Sequence, residues 1–317
     1  MKISVVMATY NGAEFIYDQL ESLRNQNRGA DEVIIVDDAS TDGTVRIIEG
    51  YIAAHGLENW SIHKNRQNIG WRQNFVRGFG MASGELIFPC DQDDIWRSDK
   101  LSVMSEIMDR HKEIQVLVGM ADYLFMEDCD RKAFRFRISQ MLDRRKKRKH
   151  GSNTMELSKK EFDYSFKKIE QGCRMCIRKA FWEEIAKYWF PELAHDSLFS
   201  FYGKLKGGYY ILDYDVIDYR YHVGSASVPN GRDRANRLKE LQTDLLEITS
   251  LQENSKEMDV SHREMRILEQ AVRWNGKRLG LVRDRKFGCG IRLLGYTRFY
   301  PQQRRYVTDW IYAIRGR

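Results

Sequence analysis

Three carboxylates crowd into four positions at Asp91, Asp93 and Asp94, directly after the apolar run LIFPC (86–90). Like charges at the end of a buried strand repel one another and resist desolvation, so something cationic is expected beside them. A solvated acidic turn would account for the residues. A divalent metal carrying a polyanionic ligand accounts for them more specifically, because hard cations such as Mg²⁺ or Mn²⁺ take carboxylate and phosphate oxygens together. A second acidic pair, Asp37-Asp38, follows the apolar run EVIIV (32–36), and Thr9-Tyr10-Asn11-Gly12 follows ISVVM (3–7). The polar groups therefore fall at the carboxyl ends of successive apolar runs.

Those runs have to be strands for the clusters to meet. ISVVM and EVIIV are short and β-branched, like strands buried in parallel sheets. Between them Ile16, Leu20 and Leu23 fall at helical spacing, as do Val45, Ile48 and Ile52 after the second run. WSIH (60–63) reads as a weaker strand, followed by Trp71, Phe75, Phe79 and Ala82 on one helical face. ELIFPC (85–90) is the next strand, then a helix carrying Leu101, Met104 and Met108, then the strand IQVLVG (114–119). This alternation predicts right-handed βαβ units in a doubly wound α/β sheet, whose ligands bind at the carboxyl ends of the strands. All the acidic clusters then converge on one edge.

The rhythm breaks at RRKKRK (144–149), which reads as an exposed basic loop, with a membrane-lipid contact as its functional alternative. From about residue 230 two amphipathic helices rich in Arg and Lys are expected, RANRLKELQTDLLEITSLQ and REMRILEQAVRWNGKRL. The expected division is a domain over 1–228 and a helical, basic region over 229–317. In the latter, Trp274, Tyr296, Phe299, Tyr300, Tyr306, Trp310 and Tyr312 interleave with Arg. Such a surface suits an anionic bilayer or an RNA platform; the bilayer is the expectation, and no nucleic-acid partner is expected.

Composition bounds the class. At 317 residues with 42% hydrophobic content, the chain can bury a full core, and wholesale disorder is excluded. The surplus of 52 Lys+Arg over 45 Asp+Glu, +7, fits a polyanionic substrate, a membrane surface or nucleic acid, and alone separates none of them. Five cysteines and a strand-like start, MKISVVM, lead to the expectation of a reduced, cytoplasmic protein, peripheral on the inner face of a membrane if the bilayer reading holds. Cys173 and Cys176 have zinc-ligand spacing with no second pair to complete a site, and are expected to be wall packing and not a redox motif.

Several chemistries fall away. TYNG is not the GxGxxG of dinucleotide-binding folds. DQDDI has Ile95 where a phosphatase forming an aspartyl-phosphate would carry Thr, and a receiver domain would need an acidic pair after its first strand. The signatures ISVVMATYNG, EVIIVDDASTDGT, NIGWRQNF, ASGELIFPCDQDDIW, QGCRMCIRK, HDSLF and YRYH occur in order over roughly the first 225 residues. In this the chain resembles family-2 glycosyltransferases of the GT-A fold, and most of all bacterial transferases of surface polysaccharides, including rhamnosyltransferases.

The resemblance implies an inverting, metal-dependent transfer from a UDP- or dTDP-linked hexose or rhamnose to a glycan or lipid-linked acceptor. It implies that Thr9, Tyr10 and Asn11 line the nucleotide pocket and that Asp38 accepts a hydrogen bond from the pyrimidine. Asp91 and Asp93 would be the DxD pair facing donor and metal, with Asp94 behind them, His222 a further metal ligand, and Arg72 near the pyrophosphate. Asp196 would be the catalytic base, with His195 as the alternative. Plainer readings stand beside these. Asp37 suits a turn or a helix cap, His222 an ordinary packed imidazole, and Trp96 a buried anchor for the acidic loop. The competing functions are a sugar nucleotidyltransferase, although ATYNGAEF lacks the basic residues its activation loop would carry, and a non-catalytic glycan- or lipid-binding protein.

Overall fold

Every apolar run that sequence spacing marks as a strand enters one sheet. The computed structural model describes residues 1–126, 154–167, 169–222, 233–300 and 304–315; the RRKKRK segment lies outside the described residues. The strands are β1 (Ile3–Thr9), β2 (Glu32–Asp37), β3 (Trp60–Lys64), β4 (Leu86–Cys90), β5 (Ile95–Trp96), β6 (Val116–Phe125), β7 (Leu157–Lys159), β8 (Met175–Arg178) and β9 (Tyr209–Tyr221). They form a nine-stranded sheet ordered β3-β2-β1-β4-β8-β6-β9-β5, with β7 paired on β9. The longest pairings, β1 with β2 and β4, β2 with β3, and β6 with β9, are parallel. The antiparallel pairings of β8, β5 and β7 are two or three residues long.

Four helices intervene in the first part: α1 (Ile16–Arg24), α2 (Thr44–His55), α3 (Trp71–Met81) and α4 (Lys100–Arg110). The chain runs outward from β1 through β2 to β3, then α3 carries it back to β4 on the other side of β1. The strand order therefore reverses between β1 and β4, where a ligand crevice opens in such sheets. Helices α5 (Lys179–Ile185) and α6 (His195–Leu205) follow β8. The core is chiefly apolar, with Ile3, Val5, Met7, Ile35, Leu86, Phe88, Leu117 and Ile217 essentially inaccessible to solvent.

The chain divides into two compact units, Met1–Lys160 with Glu170–Ser225, and Glu161–Ile169 with Ala226–Arg317. The second is helical: α7 (Arg234–Ser255), α8 (His262–Asp284), α9 (Phe287–Arg292), a 3₁₀ segment (Leu293–Phe299) and α10 (Arg304–Arg315). Both long helices start on side-chain caps. Asp233 accepts from the Asn236 amide at 2.8 Å, and Ser261 with Glu264 forms a reciprocal capping box. Among the described residues no helix is long and apolar enough to cross a membrane.

Candidate active site

The loops after β1, β2 and β4 are tied together before any ligand is considered. Thr9 Oγ1 donates to Asp37 at 2.9 Å, and Asp37 also accepts from the Ser40 amide and hydroxyl. Asn11 takes a positive φ of 47°, a conformation asparagine tolerates. Its amide donates to Ser40 Oγ, and its Oδ1 accepts from the Thr41 amide. Gln92, between the two DxD acids, clasps the Tyr10 backbone on both sides: Oε1 accepts from its N–H at 2.8 Å and Nε2 donates to its C=O at 3.0 Å. Gly12 makes room for this clasp, because a Cβ there would stand 2.3 Å from Gln92 Oε1. Thr9 and Asn11 are thus buttresses of the crevice, whereas the Tyr10 side chain is 47% exposed.

Asp38 is buried and accepts three protein hydrogen bonds at 2.8 Å each, from Asn65 Nδ2 and from the Ile69 and Gly70 amides. It fixes the loop that leads into α3. A carboxylate offers about four acceptor positions, so these three bonds leave one over.

The acidic loop between β4 and β5 is held from the far side by β9. Arg220 N donates to Asp94 Oδ1 at 3.1 Å, and Asp93 Oδ2 lies 2.9 Å from His222 Nε2. The two residues singled out as metal ligands are therefore neighbours, although 129 positions separate them. The Arg220 guanidinium turns away to Asp18 at 2.9 Å, and the His222 ring packs on Phe15 at 4.4 Å.

A cation supports the cluster from below, and it is one that sequence reasoning missed. Lys100, fully buried at the start of α4, donates to the Cys173 carbonyl at 2.6 Å and stands 3.3 Å from the centre of the Trp96 ring. Burial pulls its ammonium down to about 8, against the pull of Cys173, Cys90 and Asp94 toward the charged form. Lys100 does not neutralise the cluster. The crowded setting of Asp91, then the charge of Asp93, pushes its carboxyl up to about 7, and burial drives Asp94 well above the usual range. Asp94 Oδ2 is buried with no N–H or O–H donor on it among the described residues; the thiol of Cys173 is a weak donor beside it.

Ligand atoms of Asp91, Asp94 and Cys173 lie within 4.8 Å of one another. Burial holds the Cys173 thiol protonated, so it serves there as a hydrogen-bond donor and not as a soft ligand. The remaining set of carboxylates and one imidazole, with an orphaned buried oxygen among them, fits a hard divalent cation. Cys173 and Cys176 are buried core residues under this acidic cluster, not a zinc pair. Trp96 is buried, as expected of an anchor.

Asp196 and His195 open α6 and have opposite surroundings. The Asp196 carboxylate accepts from the Ser197 amide at 2.7 Å, and burial pushes it up to about 6, with Arg72 pulling the other way. Its charge adds to the upward push on Asp91, which brings the two into one electrostatic site. The Arg72 guanidinium stacks on Trp71 at 4.3 Å, and its buried Nε has no hydrogen-bond partner among the described residues. His195 is enclosed by Phe75 at 4.3 Å, Phe79 at 5.5 Å and Trp71 at 6.0 Å, and neither ring nitrogen has a partner among the described residues. Gly172 lies against Nε2, where a Cβ would come within 2.2 Å. Burial, then Arg72, drives the imidazole down to about 3, so it is neutral and a feeble base.

Comparison with known proteins agrees with this architecture. The model of the family described as glycosyl transferase family 2 matches residues 4–183. The putative glycosyltransferase EpsE of Bacillus subtilis is 32% identical over 126 residues, 40% of this chain and 45% of EpsE. The poly(ribitol-phosphate) beta-N-acetylglucosaminyltransferase TarS of Staphylococcus aureus is 32% identical over 122 residues, 38% of this chain and 21% of TarS. The chain thus spans less than half the length of these curated relatives. The crystal structure of TarS 1–349 with UDP-GlcNAc matches 99% of this chain and 82% of its own, with a TM-score of 0.63 at 19% identity. The Pyrobaculum calidifontis mannosyltransferase PcManGT, in complex with GDP-Man and Mn²⁺, matches 99% and 85% with a TM-score of 0.56 at 15% identity. At these identities the solved structures establish the fold, which is GT-A.

Proposed function

The chain belongs to glycosyl transferase family 2, and on that premise we propose that it moves a sugar from a UDP- or dTDP-linked donor to a hydroxyl of a glycan or lipid-linked saccharide, with inversion at the anomeric carbon. The observation that carries this reading is the meeting of Asp91, Asp93, Asp94 and His222 beside Asp196 at the point where the strand order reverses. The complexes of TarS with UDP-GlcNAc and of PcManGT with GDP-Man and Mn²⁺ support it by analogy.

In the proposed reaction Asp196 takes the acceptor proton as that oxygen bonds to the anomeric carbon. The bond from that carbon to the diphosphate oxygen breaks on the opposite side, and the nucleoside diphosphate leaves with the electron pair. At pH 7 and above a carboxyl near 6 is mostly ionised, while lying closer to the hydroxyl in basicity than an ordinary Asp. Mn²⁺ or Mg²⁺, held by Asp93 and His222 with Asp91 and Asp94 beside them, would supply charge neutralisation to the departing diphosphate. Arg72 adds a fixed positive charge near Asp196. Tyr10 offers an exposed ring to the base, and Asp38 its remaining acceptor position. The reaction is assigned to the cytoplasm, in the assembly of a cell-surface polysaccharide.

The test is release of nucleoside diphosphate from a panel of UDP- and dTDP-sugars, UDP-GlcNAc among them, with Mn²⁺ or Mg²⁺. One donor should turn over in a metal-dependent way. Asp93→Ala should abolish metal-dependent nucleotide binding in calorimetry while leaving the melting profile intact, since Asp93 lies outside the core. Metal-independent binding that is unchanged in Asp93→Ala would sink the assignment.

A further inference from the structure

The net positive charge of this protein comes from residues 285–317. Residues 285–317 hold eight Lys and Arg against a single acid, Asp309, a surplus of +7. The whole chain carries +7, so residues 1–284 are neutral in sum. Asp309 is itself fully buried and paired with Arg237 and Arg278, and so contributes nothing to the outer surface.

The same segment exposes apolar side chains at helical spacing. On α9 and the 3₁₀ turn, Phe287, Ile291 and Leu294 stand 46%, 64% and 58% exposed; on α10, Val307, Ile311 and Ile314 stand 55%, 41% and 66% exposed. Each trio is spaced i, i+4, i+7, which aligns it along one face. The trios join through Trp310. Phe287 stacks on it at 5.9 Å, Gly290 lies against its ring, and Val307 and Ile314 are its helical neighbours three and four positions away. Arg285, Lys286 and Arg292 are exposed around the first trio. An isolated exposed Leu needs no explanation, but six large apolar residues in two aligned rows beside a concentrated positive charge do.

We infer that the α9–α10 face of the second unit docks on an anionic phospholipid bilayer, its apolar rows entering the headgroup boundary and its Lys and Arg meeting the lipid phosphates. Charge complementarity selects this occupant. A second copy of the chain would bring the exposed Arg285, Lys286 and Arg292 against cations of the same face, whereas an anionic leaflet attracts each cation near its surface. Apolar rows of this length bury only into the interface, in keeping with the described helices, none of which is long and apolar enough to span a membrane. The inference stands apart from the transferase reading, since it rests on no residue of that site.

The test uses full-length protein and sedimentation with vesicles of phosphatidylcholine alone or mixed with phosphatidylglycerol. Removing the last helix is unsuitable, because it would also remove Asp309, which pairs with Arg237 and Arg278 in the interior. Point variants on the exposed face leave the interior untouched: Ile291→Ser with Ile314→Ser, and separately Arg285→Gln with Lys286→Gln and Arg292→Gln. Binding should require phosphatidylglycerol and weaken steeply between low salt and 0.3 M salt, where the screening length is only several ångströms. Each variant set should reduce partition by about tenfold or more, with an unchanged melting temperature. Wild-type partition by both sets overturns the inference, as does equal binding to neutral vesicles. Tight binding to an RNA oligonucleotide, or self-association through these residues, without a vesicle response overturns it as well.

Discussion

Two adjacent residues at the start of α6 show how surroundings assign chemistry. His195, the residue type most often associated with proton transfer near pH 7, is walled in by aromatic rings and driven down to about 3. Asp196, one residue on, is raised to about 6 and remains next to the positive charge of Arg72. If Asp196 is the base, the active form is the carboxylate, so kcat/KM rises with pH and halves as pH falls through about 6. Asp196→Asn keeps the shape and removes the proton acceptor. Turnover should fall by about 10²–10⁴, nucleotide affinity should stay near wild type, and the acidic limb of the pH profile should vanish. The product from wild-type enzyme should have the anomeric configuration opposite to the donor. A retained anomer, or an Asn variant with near wild-type turnover, removes Asp196 from the role.

At the scale of elements, the site depends on strand ends being latched together. Gly12 has no positive φ, so alanine suits its backbone; what alanine disturbs is Gln92. Gly12→Ala should displace the Gln92 amide and break both of its bonds to Tyr10, at a stability cost of about 1–2 kcal/mol for two partly exposed hydrogen bonds. The loops after β1 and β4 would then move independently, and affinity for nucleotide plus Mn²⁺ should drop more than stability does. Gln92→Ala should reproduce the loss without any steric clash. Full affinity in Gln92→Ala, measured by calorimetry, would show that the clasp does not shape the crevice. The β1–α1–β2–α2–β3 rhythm was legible in the sequence because apolar periodicity is local, and the acids at the strand ends followed from it. The strand β9 was not legible. YYILDYDVIDYRY carries Asp213, Asp215 and Asp218 and lacks clean alternation, and β6 is what makes it a strand, through pairings some ninety residues apart in sequence. Lys100 was equally hidden. A lysine opening a helix reads as solvated, and only the arrival of Cys173 and Trp96 around it reveals a buried cation.

Considered as a whole molecule, the protein uses different means in its two units. The sheet unit rests on a continuous apolar core, whereas the helical unit gathers its elements on one buried carboxylate. Asp309 on α10 accepts from Arg237 of α7 at 2.6 Å, from Arg278 of α8 at 2.8 Å, and from the hydroxyl of Tyr300 at 3.1 Å. Arg278 lies 3.6 Å from Asp244, which pairs with Lys167 at 2.7 Å, so the segment 161–169 joins the same network. Trp274 covers Arg278 at 4.5 Å. Placing two guanidinium groups in the interior is favourable only while their acceptor is present, because a buried charge without its partner retains the full desolvation penalty. Asp309→Ala leaves Arg237 with the half-exposed Glu240 and Arg278 with the longer contact to Asp244. The expected loss is about 3–5 kcal/mol, the usual cost of removing one partner of a buried ion pair. That is a large share of what an appended helical unit of this size can hold. Chemical denaturation should therefore show the helical unit unfolding at lower urea concentration in the variant, read by the fluorescence of Trp274 and Trp310, while nucleotide binding by the sheet unit persists. Asp309→Asn, which keeps the shape and loses the charge, should fall between the two. A variant whose helical unit unfolds at the wild-type urea concentration would show that apolar packing around Leu241, Leu279 and Val282 suffices to hold it.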